Sequence, residues 1–462
     1  MTIAELSANF HTRDQGSARR DWHRVLLVLL INIGLRVAYS VTHPTALTDD
    51  ADGYLAHARM LADGQGYVGP STGKPTAFRS PGYPFALAVT MSLGFGPAAS
   101  VAVINMLSTM LILWLIRLLG RQLELSSMAI LAAQLGAAMD PMMIRYTVAP
   151  MTEIECAAIL LGAIVVLRQS LQPTLSPWQR SQRCLIAGFL FGLGTFVRPV
   201  VAICCAMVTV WVMWRVMRER PEAGSTGRLT SQRAGTLQIT TAFLTPLAAL
   251  LVLLPWIIRN ELVFGRFIPA TTHGGYTLAL GNNPDFYRDV INGKDQFPWD
   301  GAGLDAWQQR MIAEMQRAGI ARADEPAEDA WYYRTALTAM RADPSSCAKA
   351  TLLRLRRFWA LTVADDSVPV PLRMLIGCWY TVILFGVLLS VIGCRWRSKS
   401  EQSGAAIRGT GMLWAVVTSF VLMHAFYWTD TRMRAPIMPI LIVLSVIGWN
   451  SLATRLRRPK QA

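Results

Sequence analysis

The chain has 462 residues, of which 53% are hydrophobic and only 16% are charged. Soluble domains carry about 25% charged residues, so this composition excludes an ordinary soluble protein, and the apolar runs lack the alternation of an outer-membrane barrel. The net charge of +15 does not indicate a nucleic-acid-binding protein, because the basic residues collect in short loops between apolar runs. The seven cysteines show no metal-ligand spacing and are interpreted as small apolar fillers.

Apolar runs approaching the length of about 20 residues that crosses a bilayer as a helix recur along the chain. They predict an all-α polytopic membrane protein. Ten transmembrane helices are expected at about 24–42, 99–119, 126–147, 152–168, 184–198, 199–214, 237–256, 372–394, 409–428 and 436–453. A further apolar stretch at 81–96 is short and begins with two prolines, and we expect it to lie at the outer membrane interface.

Short basic segments set the orientation of these helices. Residues 168–183, 215–234, 395–408 and the tail 455–462 are rich in arginine or lysine, which predicts that they face the cytoplasm. Residues 1–23 are polar and end in a basic cluster, which indicates a cytoplasmic tail rather than a cleavable signal peptide. Both termini are therefore expected in the cytoplasm, and ten crossings satisfy this condition where eleven do not.

This orientation leaves two long segments on the non-cytoplasmic side of the membrane. They are residues 43–98 and residues 257–371. The second segment is nearly neutral, because residues 259–373 carry 14 acidic and 14 basic side chains. Helix-like stretches at about 303–319 and 327–342 predict that it forms a partly helical subdomain lying on the membrane. The expected parts are a tail (1–23), a transmembrane core (24–256) with a first external loop (43–98), a large periplasmic loop (257–371), C-terminal transmembrane helices (372–454) and a basic tail (455–462).

Carboxylates and arginines collect at the external ends of the predicted helices. Asp49, Asp50 and Asp52 follow the first helix, and Glu153 opens the fourth. A carboxylate can accept a proton from an attacking hydroxyl or amine. Arginines can hold phosphate oxygens in bidentate fashion, and an apolar surround admits a lipid tail. This mixture suits group transfer from a phosphorylated lipid.

The same segments contain an ordered set of motifs. The first external loop contains "DDADGYLAHARMLADGQGY" and "PTAFRSPGYPFALA". Later motifs are "APMTE" (149–153), "GLGTFVRP" (192–199), "LPWIIRNELVFGRFIPATTHGG" (254–275), "GNNPD" (281–285) and "RMRAPIMP" (432–439). Over most of residues 20–450 the sequence resembles the GT-C membrane glycosyltransferases. It resembles in particular the family 39 branch of dolichyl-phosphate-mannose–protein mannosyltransferases and bacterial lipid A aminoarabinose transferases.

The resemblance implies the GT-C fold, with juxtamembrane helices in the first external loop, and an inverting single displacement. Asp50, four residues before Tyr54, matches the family's catalytic carboxylate and is expected to be the base. Glu153 matches a second acid and is expected to orient the acceptor or a metal. Ala51 stands where the family often has an acid beside the catalytic one. The assisting roles of Asp49 and Asp52 therefore stay open.

The remaining candidate site residues are expected to bind substrate. Arg79 matches a basic residue that contacts the donor phosphate, and Arg259 is interpreted as a second phosphate contact. The full substrate-binding set is Asp49, Asp52, Tyr54, Arg79, Tyr83, Arg198, Arg259, Asn260, His273, Arg432 and Arg434.

The implied partners are a polyprenyl-phosphate-sugar donor, an acceptor that is protein, lipid or glycan, and membrane lipids. No cofactor is required, and a divalent metal at the acids stays open. The expected location is a bacterial inner membrane, with the active site facing the periplasm or cell exterior. Two other functions fit part of the pattern: a lipid or glycolipid transporter or flippase, and a polyprenyl-linked oligosaccharide ligase. A transporter would place its charges near the membrane midplane and break paired helices, whereas here the charges lie at one face.

Overall fold

The computed structural model describes residues 3–457 with gaps at 173, 219–227, 294–298, 300, 322–323, 363–367 and 398–408. Within this part, the side chains of 3–21, 216, 228–242 and 394–397 are left out of the description. The predicted cytoplasmic segments 215–234 and 395–408 and the last residues of the tail therefore lie largely outside the described residues. The described chain is almost entirely helical, and its β-structure is one isolated bridge between Val68 and Pro75.

A helix lies at each of the ten positions where an apolar run predicts a transmembrane segment. The helices are α1 (Ile3–Thr42), α4 (Pro97–Gln122), α5 (Ser127–Met139) with α6 (Pro141–Thr147), α7 (Glu153–Ser170), α8 (Pro177–Val197), α9 (Val200–Arg218), α10 (Arg228–Phe264), α16 (Val370–Arg397), α17 (Gly411–Phe426) and α18 (Met438–Leu456). Helix α7 is the most enclosed of them, since most of its side chains from Glu153 to Leu167 are buried. Its N-terminus is thereby fixed at one end of the core.

One predicted span is broken. Helices α5 and α6 meet at a 52° bend, where Asp140 caps α6 by accepting the Met143 N–H at 3.0 Å and Pro141 occupies the first helical position. Proline cannot continue the hydrogen-bond ladder of the preceding helix, which explains the break.

Length and composition do not fix the number of crossings. Five described helices are long and apolar enough to cross a membrane, or six if the bent pair counts as one span. Helix α7 carries Glu153, Glu155 and Arg168, while the apolar parts of α9 and α17 are shorter than 18 residues. The ten-span topology therefore stays a prediction.

The first external loop forms two short helices, α2 (Tyr54–Ala62) and α3 (Gly82–Ser92). With 11 residues, α3 is roughly 16 Å long at 1.5 Å per residue, about half the thickness of a bilayer core. It cannot cross, which agrees with the predicted interfacial position of 81–96. Gly82 packs so closely on the main chain of Phe196 that a Cβ there would clash, so α3 is fixed against the end of α8.

The large loop folds around its own aromatic core. It contains α11 (Gly274–Leu280), α12 (Pro284–Phe286), α13 (Gly301–Arg317), α14 (Glu325–Ala342) and α15 (Pro344–Phe358). Trp307 is fully buried at the centre of this core. The two helices predicted at 303–319 and 327–342 correspond to α13 and α14. A short 3₁₀ segment, Thr431–Ile437, precedes α18 and returns the chain toward the first external loop.

Candidate active site

Asp52 lies between two arginines that come from distant parts of the sequence. Its Oδ1 accepts from Nη2 of Arg79 at 3.1 Å, and its Oδ2 accepts from Nη2 of Arg432 at 2.5 Å. Asp52 precedes α2, Arg79 precedes α3, and Arg432 lies in the 3₁₀ segment. Burial alone would raise the pKa of Asp52, but the guanidinium groups of Arg432 and Arg79 outweigh it and hold the pKa below its usual range.

Glu153 extends this arrangement at the N-terminus of α7. Its Oε1 accepts from Nε of Arg432 at 2.6 Å and from Nη1 of Arg198 at 2.8 Å. The carboxylate is fully buried, and its Oε2 has no hydrogen-bond partner among the described residues. Arg432 therefore bridges both acids. We call Asp52, Arg79, Glu153, Arg198 and Arg432 the charged network.

The charged network has three guanidinium groups and two carboxylates, so its net charge is +1. Its arginine side chains keep 14% to 23% of their surface exposed. An anion that enters can therefore reach them. Charge in a partly desolvated site interacts more strongly than in bulk water, so the network is suited to bind a phosphate group.

Asp50 is oriented differently from Asp52. Its Oδ1 accepts the Leu55 N–H at 3.0 Å and its Oδ2 accepts the Ala56 N–H at 2.8 Å. Gly53, with a φ of 78°, turns the chain so that the first N–H groups of α2 point at this carboxylate. Among the described residues Asp50 makes no ion pair, and an ionised carboxylate oxygen still has a lone pair beside each bond. Asp49, one residue earlier, is exposed.

The two predicted tyrosines have separate surroundings. The guanidinium of Arg79 lies 5.8 Å from the ring centre of Tyr54, so the Tyr54 ring packs against the charged network at Arg79. Tyr83 is fully buried and donates its hydroxyl to Oδ1 of Asn105 at 3.1 Å. Tyr83 contacts Tyr54 edge-on at 5.8 Å, and the structure places it behind the charged network instead of within it.

Three other predicted residues bind main-chain carbonyls. Arg259 donates to the carbonyls of Thr76 at 2.8 Å and Tyr67 at 3.0 Å. The buried Asn260 donates to Ile268 O at 3.0 Å. Arg434, also buried, donates to Phe358 O and Ala360 O at 3.0 and 3.2 Å. These contacts fasten loop segments around the charged network, and they place none of the three in it.

His273 lies beside the charged network through an aromatic contact. The His273 ring contacts the Phe78 ring edge-on, with ring centres 4.4 Å apart. The Arg79 guanidinium lies 5.3 Å from the centre of the same Phe78 ring. Burial, with help from the charge of Arg79, lowers the pKa of His273 to about 3, so the ring is neutral near pH 7. Its Nδ1 has no hydrogen-bond partner in the described chain.

Two residues near the site were not predicted from the sequence. Glu325, at the start of α14, accepts the Ala77 N–H at 2.9 Å and the Thr272 hydroxyl at 3.0 Å through Oε2. It fastens the large loop to the segment that carries Arg79. Phe78 packs between Arg79 and His273. The only sequence signal for Phe78 is its place beside Arg79 in "AFRSPGYP", and Glu325 has no local signal.

The acids of this site do not form a set of metal ligands. Among the described residues, no three His, Cys, Asp or Glu side chains group closely enough to hold a metal ion. The oxygens of Asp52 and Oε1 of Glu153 face guanidinium groups, and those of Asp50 face backbone N–H groups. A hard cation requires several free oxygens around it, so the donor set does not fit one.

No protein-family model and no curated protein matches the chain. Solved structures do. The archaeal oligosaccharyltransferase AglB from Archaeoglobus fulgidus, in complex with an inhibitory peptide and a dolichol-phosphate, matches with a TM-score of 0.55 at 13% identity, over 95% of this chain and 51% of AglB. Its apo form matches with a TM-score of 0.55 at 14% identity, over 95% of this chain and 51% of that one.

A structure of ArnT from Cupriavidus metallidurans bound to undecaprenyl phosphate matches with a TM-score of 0.41 at 12% identity, over 96% of this chain and 78% of ArnT. This score is too low to support an argument by itself. The chain spans about half the length of AglB, and at such identity the likeness concerns the fold. The helical architecture and the AglB match together show that this chain has the fold of AglB, which agrees with the GT-C fold expected from the sequence.

Proposed function

We propose that the protein transfers a sugar from a polyprenyl-phosphate-linked donor to an acceptor on the non-cytoplasmic side of the membrane. The observation that carries this proposal is the charged network, which gathers three arginines and two acids where the external loops meet the helix ends. The shared fold supports it, since AglB is an oligosaccharyltransferase whose structure contains a dolichol-phosphate.

Asp50 is the proposed base. Asp52 is less suited to that role, because two guanidinium groups hold its pKa low and occupy its oxygens. Asp50 is held in place by two backbone N–H groups and makes no ion pair among the described residues. Its carboxylate can take the proton of an acceptor hydroxyl or amine while that group attacks.

The reaction is a single inverting displacement at the anomeric carbon. The acceptor oxygen or nitrogen forms a bond to this carbon as its proton passes to Asp50. The bond from the carbon to the phosphate oxygen breaks, and its electron pair leaves with the polyprenyl phosphate. Phosphate is a good leaving group, so no strong general acid is required.

The arginines of the charged network stabilise the charge that develops on the leaving phosphate. Arg432 donates through Nε to Glu153 and through Nη2 to Asp52. Since a guanidinium has five N–H groups in total, these two bonds leave others for the phosphate. Asp52 and Glu153 act as positioning residues that fix the guanidinium planes before the donor arrives. The arginines are thereby pre-organised, so less side-chain freedom is lost when the phosphate binds.

The large loop is the proposed cover of the donor sugar. Glu325 fastens it to the segment around Ala77, and His273 and Phe78 present an aromatic edge beside Arg79. A covered site excludes water, which would otherwise hydrolyse the donor. The acceptor is proposed to be a protein, lipid or glycan on the periplasmic face of a bacterial inner membrane.

The test is transfer by purified protein from undecaprenyl-phosphate sugars to acceptors in a membrane extract. Asp50→Asn keeps an oxygen for one of the two α2 N–H groups and removes the base, so we expect transfer to slow by about 10²–10⁴-fold with at most a small fall in melting temperature. Asp63→Asn, at an exposed position at the end of α2, is the matched control. Unchanged transfer by Asp50→Asn would remove the base assignment. If the wild type consumes no lipid-phosphate sugar, the proposed reaction is wrong and transport becomes the better hypothesis.

A further inference from the structure

A groove lies between α14 and α15 of the large loop and shares no residue with the charged network. Its volume is about 570 Å³, within the range of roughly 300–1,000 Å³ typical of small-molecule sites. Its lining is almost entirely apolar and includes Leu337, Met340, Leu352 and Phe426. The proposed glycosyl transfer makes no use of it.

The walls of the groove are fixed by buried hydrogen bonds. The fully buried Arg354 of α15 donates through Nε to Ala425 O at 2.9 Å and through Nη1 to Gly281 O at 2.6 Å. The hydroxyl groups of Tyr333, in α14, and Tyr427 lie 3.2 Å apart. Both helices are thereby fastened to the end of α17, so the groove is a preformed feature of the fold.

The apolar surface of the groove continues into α17, an apolar helix that lies at one of the ten predicted membrane segments. Leu422 and Phe426, one turn apart on α17, are 49% and 45% exposed. Across the groove, Leu352 is 68% exposed and Leu337 is 40% exposed. Large apolar side chains that form one exposed surface mark an interaction site. Because this surface begins at the end of a predicted membrane helix, the apolar phase expected beside it is the bilayer.

The charge at the groove is positive. Arg341 lines it, and its lining contains no acidic residue. Arg334 is exposed seven residues earlier on α14, which places it two turns away on the same helix face. Arginines beside an apolar surface at a membrane are suited to bind lipid phosphates.

We propose that this groove binds an acyl chain of an anionic phospholipid from the adjacent leaflet, with the lipid phosphate at Arg341. The occupant enters at Phe426, where the groove meets the membrane helix. Its chain covers Leu337 and Leu352, and its headgroup meets the arginine face of α14. This site anchors the large loop to the membrane surface, and it is independent of the proposed glycosyl transfer.

The test uses the full-length protein in detergent and native mass spectrometry, titrated with dioleoyl phosphatidylglycerol or dioleoyl phosphatidylcholine. The wild-type protein should bind phosphatidylglycerol about ten-fold more tightly than phosphatidylcholine. Ala348→Trp, at an exposed residue of the groove lining, should weaken binding at least ten-fold by filling the space. Arg341→Gln should abolish the preference for phosphatidylglycerol and retain weak binding of both lipids. Ala318→Trp and Arg317→Gln, at exposed positions of the same loop, are the matched controls and should bind as wild type.

Equal binding of phosphatidylglycerol by wild type and Ala348→Trp would show that the groove is not the site. A preference retained in Arg341→Gln would remove the headgroup contact. Displacement of phosphatidylglycerol by a ten-fold lower concentration of undecaprenyl phosphate would assign the groove to a prenyl tail and overturn the phospholipid proposal. If Ala348→Trp fails to fold, the exposed Arg341→Gln and its control still decide the outcome.

Discussion

Two sets of arginines in this protein have different kinds of partner. In the charged network, Arg198 and Arg432 contact carboxylates. In a second set, which we call the carbonyl clamps, Arg259, Arg354 and Arg434 donate to main-chain carbonyls. A guanidinium that contacts carboxylates is part of a charged group whose net charge changes when a phosphate binds. A guanidinium among carbonyls fastens two chain segments together.

An arginine in an external loop motif therefore does not by itself indicate a phosphate contact. Arg259 and Arg432 lie in equally suggestive motifs, "PWIIRN" and "RMRAP". Arg259 holds the first external loop through Thr76 and Tyr67, whereas Arg432 bridges two acids. We therefore expect substitutions in the charged network to affect donor binding and substitutions in the carbonyl clamps to affect mainly stability.

The largest effect is expected from Glu153→Gln. The fully buried carboxylate faces both Arg198 and Arg432. Its loss leaves Arg198 without a carboxylate partner among the described residues, while Arg432 stays paired with Asp52. Removing one partner of a buried ion pair costs about 3–5 kcal/mol. Thermal unfolding in detergent should show this loss, and transfer should be abolished. Glu261→Gln, at an exposed position of α10, should unfold as wild type. A wild-type melting temperature for Glu153→Gln would contradict the ion pairs.

Arg354→Met should give the next largest effect and act through stability. Methionine keeps much of the apolar volume but leaves the carbonyls of Ala425 and Gly281 without their donor, at about 1–3 kcal/mol for each buried group. The control is Arg356→Met, exposed on the same helix. Donor affinity of the folded fraction, measured by calorimetry, should not change. Loss of donor affinity at a wild-type melting temperature would place this carbonyl clamp in the donor site.

Much of the fold could be predicted from the sequence, because apolar runs of membrane length require helices wherever they occur. Each of the ten predicted segments contains a helix, and the length of α3 agrees with the expected position of 81–96 at the interface, which stays a prediction. The bend at Asp140 was not predicted, although Pro141 is its local cause. The partners of Glu325 could not be predicted either, since Ala77 lies 248 residues away and no local pattern connects them.

The site could be predicted only in part, because motif position does not give side-chain direction. Arg432 and Arg434 share one motif and both lie in a 3₁₀ segment, where side chains two positions apart point about 120° away from each other at three residues per turn. Arg432 therefore faces Asp52, and Arg434 faces Phe358. Asp50 and Asp52 are likewise two residues apart and have different partners, which their spacing alone could not reveal.

Arg79→Gln should separate donor binding from stability within the charged network. The pair between Arg79 and Asp52 is partly exposed, and such pairs contribute less than about 1 kcal/mol. The melting temperature should therefore change little. Loss of a charge-assisted bond to phosphate, about 1.5–3 kcal/mol, should raise the Michaelis constant for the donor about ten-fold or more. The opposite pattern, a large fall in melting temperature with an unchanged Michaelis constant, would place Arg79 with the carbonyl clamps.

The smallest effect is expected from two acids with different partners. Arginines contact Asp52, and a backbone N–H contacts Asp329. Asp52 has a lowered pKa, so its contribution to stability is present above the unfolded value near 3.9 and is lost as pH falls through the folded value. Asp329 accepts only the Gly275 N–H among the described residues, and burial, which outweighs this bond, raises its pKa to about 6. Its contribution has the opposite sign, being present below the unfolded value and lost as pH rises through about 6.

Asp329→Asn keeps an acceptor for the Gly275 N–H and removes the charge. The variant should therefore gain about 1 kcal/mol over wild type at pH 7.5, a value discounted because solvent reaches this carboxyl, and the gain should vanish near pH 4. Asp52→Asn should lose stability at pH 7.5 and approach wild type as pH falls below 4. Melting temperatures from pH 3.5 to 8 measure both slopes. Slopes of the same sign would mean that the guanidinium groups of Arg79 and Arg432 do not hold the pKa of Asp52 low.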